Sequence, residues 1–345
     1  MNILFAYDLS ETDNQFVQIH IRLLQELGCE VTVSMDQFWN PTRTYDYMVI
    51  NWPECFFDWK PNISDEQVQQ LNASLKRWKR GSTRIITFLH DEYSHFGRGA
   101  NLNLLFDLCY RHSDVLIHLG NYSKNKYTNL YPDSQHHLIY HPLYTDFQTD
   151  LGKHAARIQL GVTENVYLVF VPGGIRKPDE VDYCLEIYRR LPVKNKQLIF
   201  QKTNFLAKPQ SLKSFIDLKV WGYYLFHMNK FKLLENIGFL RGFMEKDVLS
   251  AYFAASDLII IPRTDILNSG NILLAAQFGK PMIGSGAGNM GEMLMILGQQ
   301  CADPQFIDKH ITTVPENNPD QIKHAVERYA NNDVIKKQWL QILKP

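Results

Sequence analysis

Residues Asp265–Glu292 read D-I-L-N-S-G-N-I-L-L-A-A-Q-F-G-K-P-M-I-G-S-G-A-G-N-M-G-E, and the punctuation of this stretch decides the fold class. A polar turn containing Gly270 opens a short apolar helix, Asn271 to Phe278. Gly279-Lys280-Pro281 ends it, because glycine accepts the left-handed conformation at a helix end and proline cannot extend the helix. Met282-Ile283 then reads as a buried strand, and a second glycine-rich turn opens another helix near Met290. Two helix N-termini therefore point at one crevice, each with free backbone N–H groups and the positive end of a helix dipole. Such a crevice binds phosphate.

Gly286, Gly288 and Gly291 also spell G-x-G-x-x-G between a strand and a helix, the pattern of a dinucleotide site. In a Rossmann dehydrogenase that turn lies in the first βαβ unit, and the next strand ends in an acidic residue about 20 residues on. Here the turn lies near the end of the chain, and Gln300-Cys301-Ala302-Asp303-Pro304 does not read as a strand ending in a carboxylate. Phosphate binding without a dinucleotide is the favoured reading.

With 345 residues, 45% hydrophobic and 21% charged, the chain can bury two cores, and two domains are expected. A formal net charge of zero argues against a nucleic-acid binder and against strong electrostatic capture by a membrane. Five scattered cysteines without C-x-x-C suit a reducing compartment and suggest neither zinc nor a disulfide frame. Met1 leads straight into a strand, and no apolar run reaches about 18 residues. The expectation is a cytoplasmic protein, with peripheral contact at the inner face of a membrane left open. The N-x-S matches at Asn62, Asn72 and Asn121 are then chance.

Strand and helix signals alternate in the first half: strands at Asn2–Tyr7, Glu30–Ser34, Tyr47–Asn51, Arg84–Leu89 and Val115–His118, with helices at Phe16–Leu27, Ser64–Lys79, Leu102–His112 and from Ser123. The pattern breaks around Tyr144–Lys153. A second series then runs through Val166–Val171, Glu180–Arg190, Gln197–Gln201, Ile237–Leu240, Lys246–Ala255 and Leu258–Pro262 to the opening stretch, followed by helices at Pro319–Tyr329 and Val334–Leu343. Residues 205–232 carry no clean period. Such alternation predicts an α/β fold of two Rossmann-like domains facing across a cleft. The expected domains are 1–145 and 154–325, with 326–345 a C-terminal helix packing back on the first.

Ligands bind at the carboxyl ends of parallel strands, so the residues just after each strand are the candidates. Asp8 follows the first strand and is placed to bond hydroxyls, while Glu11 to Asn14 read as a solvated loop with an N-cap. Asn51-Trp52-Pro53-Glu54 follows the third strand; Trp52 reads equally as a sugar-stacking face or a core aromatic, and Glu54 as an acceptor contact. His90, Asp91 and Glu92 follow the fourth, three titratable groups in a row and a candidate acid–base cluster. In the second half Gly173-Gly174-Ile175-Arg176-Lys177 follows a strand, and Arg suits phosphate because its planar fork makes charge-assisted, often bidentate bonds.

Taken in order, these segments resemble the GT-B glycosyltransferases, especially the relatives of glycosyltransferase family 4 that build bacterial surface polysaccharides. The likeness rests on Asp265–Glu292, on Trp52-Pro53-Glu54 after Tyr45-Asp46-Tyr47, on Arg111–Val115, and on His141-Pro142-Leu143-Tyr144 at the start of the connection. It also rests on G-x-I-R at Gly173–Arg176 and on N-S-G at Asn268–Gly270. It implies transfer of a sugar from a nucleotide-sugar donor to a glycan or lipid-linked saccharide. The implied donor contacts are Gly173, Gly174, Arg176, Lys177, Lys202, Asn268, Ser269, Gly270, Asn271 and Glu292. Acceptor contacts would be Asp8, Trp52 and Glu54, and catalysis would fall to His90, Asp91 and Glu92. Ser269 alone also reads as a helix N-cap, and His141 and Tyr144 as hinge packing or ligand contacts. The chain departs from the family at Asp179, where a Lys is usual, and at Ile266 and Leu274, where two glutamates are usual. No D-x-D ends a strand, so no metal and no cofactor is expected, the diphosphate being neutralised by Arg, Lys and helix dipoles. The alternatives are a catalytically impaired nucleotide- or glycan-binding protein of the same fold, and a GT-B epimerase or phosphorylase.

Overall fold

The structure is a computed structural model that describes residues 1–9, 15–97, 99–203, 236–240, 244–264 and 267–343, with the side chains of 202 and 203 left aside. The loop residues 11–14, the position of Ile266, the region 205–232 and the side chain of Lys202 lie outside the described residues. Two compact units emerge: Met1–Tyr144 with Ile266–Asn268 and Glu327–Pro345, and Thr145–Asp265 with Ser269–Val326.

The first unit runs β1 (Asn2–Phe5), α1 (Gln15–Glu26), β2 (Glu30–Val33), α2 (Met35–Trp39), β3 (Tyr47–Ile50), α3 (Asp65–Arg80), β4 (Arg84–Leu89), α4 (Ala100–His112), β5 (Val115–His118), α5 (Asn121–Thr128) and β6 (Gln135–Leu138). All strands are parallel, in the order β2-β1-β3-β4-β5-β6. The interior strands are short continuous apolar runs because both faces are covered by helices; β3 and β5 are buried at every residue. Local chemistry sets the helix ends. Ser64 and Gln67 exchange the two bonds of a capping box at the start of α3, and Gly28 after α1 is left-handed at φ 82°. The sequence reading missed α2 and the 3-10 turn at Pro53–Phe57, each too short for a period to register.

The second unit runs α6 (Lys153–Leu160), β7 (Tyr167–Ile175), α7 (Pro178–Arg190), β8 (Lys196–Thr203), β9 (Ile237–Phe239), α8 (Lys246–Ala255), β10 (Leu258–Ile261), α9 (Gly270–Gln277), β11 (Met282–Gly284), α10 (Gly288–Ile296), β12 (Gln300–Cys301), α11 (Ile307–His310) and α12 (Pro319–Ala330), the end of α12 from Glu327 on being counted with the first unit. Its sheet is also parallel, ordered β12-β11-β10-β7-β8-β9. The last helix, α13 (Asn332–Ile342), lies in the first unit. There Trp339, fully buried, donates its indole N–H to His20 Nδ1 at 3.0 Å and stands edge-on to Phe88.

In each sheet the strand order reverses once, between β1 and β3 in the first unit and between β7 and β10 in the second. Crevices open at the carboxyl ends of strands at such switch points. These are the two places where a ligand crevice is expected.

One expectation holds only in part here. Gln300–Cys301 is a strand, paired parallel to β11, and Asp303 lies two residues beyond it. The strand escaped notice because two residues carry no alternation. Its carboxylate is already engaged, Asp303 Oδ1 accepting the Gly286 N–H at 3.0 Å. Gly291 shows what the third glycine is for: a Cβ there would come 2.1 Å from the Gly286 carbonyl oxygen, so only glycine lets α10 pack on its own entry turn.

Candidate functional site

In the second unit the switch point is built on a bulge. The register of β7 against β8 shifts between Val171 and Gly174, leaving Pro172 and Gly173 out of the ladder. Gly173 is left-handed at φ 83°, and a Cβ on it would meet Asn271 Nδ2 at 2.8 Å. Asn271 in turn donates to the Pro172 carbonyl at 3.4 Å. The Gly173-Gly174 turn and the first turn of α9 are thus brought into contact. The Gly173 N–H itself is taken by Gln201 Oε1 at 2.5 Å. Arg176 and Lys177 are exposed beyond the turn. Ser269 sits at the N-cap of α9, but its side chain makes no capping bond. The N–H groups of Gly270 and Asn271 open the helix and lie outside its own ladder. Glu292 lies on α10, half-buried.

Sequence reasoning missed what holds this turn. Arg263, from the loop after β10 and 6% exposed, donates Nη1 to Glu180 Oε1 at 2.7 Å and Nη2 to the Gly174 carbonyl at 2.6 Å. The second oxygen of Glu180, 1% exposed, accepts the Arg176 N–H at 2.6 Å. One buried carboxylate therefore ties both flanks of the turn. Burial pulls the Arg263 guanidinium below its usual pKa, and Glu180 opposes that pull. The signal available in the sequence was a charged residue directly after an apolar strand, at Ile261-Pro262-Arg263.

In the first unit the carboxyl ends of β1, β3 and β4 gather a second cluster. Asp91 Oδ2 lies 3.2 Å from His90 Nδ1, accepts the Trp52 indole N–H at 3.2 Å, and lies 3.8 Å from His95 Nε2. Glu54, with no exposed surface, accepts the His95 backbone N–H at 3.0 Å and lies 3.1 Å from His95 Nδ1. Its Oε2, and both ends of the buried Asn51 amide, find no hydrogen-bond partner among the described residues. His90 and Asp91 thus come together, whereas Glu92 turns to Lys126 at 2.7 Å. Trp52 is 5% exposed and packs with Tyr7, Phe16, Trp59 and His90, a buried cluster member whose N–H is fixed on Asp91. Asp8 is exposed at the end of β1. Asn268 belongs to this unit and donates Nδ2 to the His90 carbonyl at 2.5 Å. His141 packs on Phe16, and burial lowers its pKa to about 4 against the opposing Pro142 carbonyl.

Three of the four left-handed non-glycine residues described, Trp52, Asp58 and Trp59, fall in this one segment after β3. Backbone held off its ordinary conformations concentrates at functional sites, and these residues deliver Trp52 to Asp91 and Trp59 to His95.

A pH dependence follows from His118 at the end of β5. It is fully buried, 2.8 Å from His136 and 3.2 Å from Ser123, and burial lowers its pKa to about 3. The folded state keeps it neutral while the unfolded chain protonates near 6.5, so stability falls as pH drops through the window between those values. Lowering the pH from 7.5 to 5 costs about 2 kcal/mol at this site. Urea titrations at both pH values should show that loss for the native chain and a smaller one for His118→Gln; equal pH dependence in the two proteins refutes the assignment.

Among the described residues no group of three or more His, Cys, Asp or Glu is placed to hold a metal, and no helix is long and apolar enough to cross a membrane.

No family model matches the chain, and no curated protein matches its sequence. Solved structures do match. Sucrose-phosphate synthase from Thermosynechococcus elongatus aligns over 99% of this chain and 98% of its own, with TM-score 0.68 and 13% identity. Anabaena HepE in complex with UDP-glucose aligns over 99% of both chains, with TM-score 0.66 and 16% identity. The UDP-forming α,α-trehalose-phosphate synthase from Burkholderia vietnamiensis aligns over 96% of this chain and 80% of its own, with TM-score 0.55 and 12% identity. At such identities the likeness is one of fold: two parallel six-stranded sheets flanked by helices, the GT-B architecture of glycosyltransferases.

Proposed function

We propose that the chain is a metal-independent glycosyltransferase that moves a sugar from a nucleotide-diphosphate donor to a hydroxyl of a glycan or lipid-linked saccharide. The observation that carries this reading is the meeting of the Gly173-Gly174 turn with the first turn of α9 at the switch point of the second sheet. Helix N–H groups there favour a diphosphate, and Arg176 and Lys177 add charge. The neighbours solved with UDP or UDP-glucose support the choice of ligand.

In the first unit, Asp91 accepts the proton of the acceptor hydroxyl if the anomeric centre inverts. The acceptor oxygen forms the new bond to C1, the old C1–O bond breaks, and its electron pair leaves on the nucleotide diphosphate. With retention, His90 binds the sugar or the leaving group instead.

Nucleotide release from a panel of UDP-, GDP- and ADP-sugars, with and without saccharide acceptors and in excess chelator, tests the reading. Release that survives the chelator supports it. Release abolished by chelator and restored by magnesium or manganese overturns metal independence. Binding without release from any donor favours the non-catalytic reading, which Leu274 suggests, since it is buried in α9 where a ribose-binding glutamate is usual. Arg176→Ala should weaken nucleoside-diphosphate binding by about 1.5–3 kcal/mol with little change in stability, because its side chain is exposed. Calorimetry showing unchanged affinity in each of the Arg176, Lys177 and Lys202 alanine variants would sink the donor assignment.

A further inference from the structure

The first unit carries a cavity of about 660 Å³ between α2, the 3-10 turn and α3, walled by Trp39, Phe56, Phe57, Asp58, Gln70 and Arg77. That volume falls within the range of about 300–1,000 Å³ of small-molecule sites. None of these residues belongs to the Asp91 cluster or to the diphosphate turn.

The aromatic wall is preorganised. Trp39 is braced at ring-centroid distances of 4.8 Å by Phe38, 5.9 Å by Phe56 and 5.7 Å by Phe57. Arg77 Nη2 donates to the Phe38 carbonyl at 3.1 Å and the Trp39 carbonyl at 2.7 Å, and the Trp78 indole N–H also bonds the Phe38 carbonyl. The backbone of Trp39 is thus fixed, while its indole N–H has no hydrogen-bond partner among the described residues. A rigid aromatic face loses little entropy when a ligand settles on it.

The rim chooses the ligand. Gln70 and Asp58 are exposed on it, and the Asp58 carboxylate, carried on left-handed backbone at φ 55°, is paired with Lys60 at 3.0 Å. The Asp58–Lys60 pair leaves little net charge at that edge, and Arg77, with Nη2 bonded to two carbonyls, keeps Nε and Nη1 donors that suit hydroxyl groups. Amides, a carboxylate and an open indole N–H around aromatic rings match a neutral pyranose, apolar on the face of its C–H bonds and hydroxylated on its rim.

We infer that this groove is a second saccharide-binding site, which holds a neutral segment of a glycan away from the reacting hydroxyl. The choice of ligand rests on the proposed glycosyl transfer, whereas the groove does not. The turn that carries Asp58 also places Trp59 5.9 Å from Trp52 and 5.6 Å from His95, so the groove wall and the Asp91 cluster share one rigid segment.

The test is saturation-transfer NMR on the full chain with tetrasaccharides of β-1,4-glucose, α-1,4-glucose and β-1,4-N-acetylglucosamine. At least one should bind, and binding should be lost in Trp39→Ala and also in Ala73→Trp, which fills the groove from an exposed position on α3 and leaves the core untouched. Nucleotide-sugar hydrolysis without acceptor should stay at the native rate in both. Binding by none of the three, or binding that survives Ala73→Trp, overturns the site. Saccharide binding at the groove without turnover of any nucleotide sugar leaves the inference standing and sinks the proposed reaction, so the two failures are distinct.

Discussion

Arg263→Ala lowers the free energy of unfolding by about 3–5 kcal/mol, the usual effect of stripping one partner from a buried ion pair. Glu180 is left charged with 2% of its side chain exposed, and the Gly174 carbonyl loses its donor. Arg263→Lys recovers little, because one ammonium does not replace two nitrogens aimed at separate acceptors. The double variant Arg263→Met with Glu180→Leu should regain much of the stability, since no buried charge remains, but not the affinity for nucleoside diphosphate, because the Arg176 N–H and Gly174 carbonyl are no longer tied together. Urea denaturation and calorimetry on the same samples read both effects. A single-variant loss below about 1 kcal/mol would mean that water reaches Glu180 and that the turn is not held from beneath.

Asp91→Asn should cut turnover about a hundredfold or more, within the range ascribed to a positioned acid or base. Asparagine keeps an oxygen that accepts the Trp52 indole N–H, so the fold and the nucleotide affinity of the other unit should stay near native. His90→Ala should also damage turnover more than stability. If both variants keep the native rate, the base lies elsewhere, with Asp8 and Glu54 the next to examine.

The fold was legible because both sheets are parallel and covered on both faces, which makes strands into unbroken apolar runs such as Tyr47–Ile50 and Leu258–Ile261. The glycine punctuation around α9 and α10 was legible for the same reason: each glycine answers a backbone demand, as Gly173 and Gly291 show. The pairings that complete each cluster were not. Arg263 reaches Glu180 across 83 positions and His95 reaches Glu54 across 41, distances at which no local pattern survives. The strand before Asp303 was missed because two residues carry no period. Glu92 was grouped with Asp91 by adjacency alone, and successive side chains diverge: it pairs with Lys126.

The first unit is assembled from three separate pieces of chain, and this has a consequence for the order in which the protein is made. Chains generally fold domain by domain as they leave the ribosome. Here the strands and helices of Met1–Tyr144 emerge first, but Trp339, which covers His20 and Phe88, arrives only after the whole second unit has been translated. The nascent first unit must wait with an apolar patch uncovered, whereas the second unit has its own sheet complete once β12 is out. The part synthesised last is therefore the part that finishes the part synthesised first, and a stalled or shortened chain presents to chaperones an incomplete N-terminal half beside a nearly finished C-terminal one.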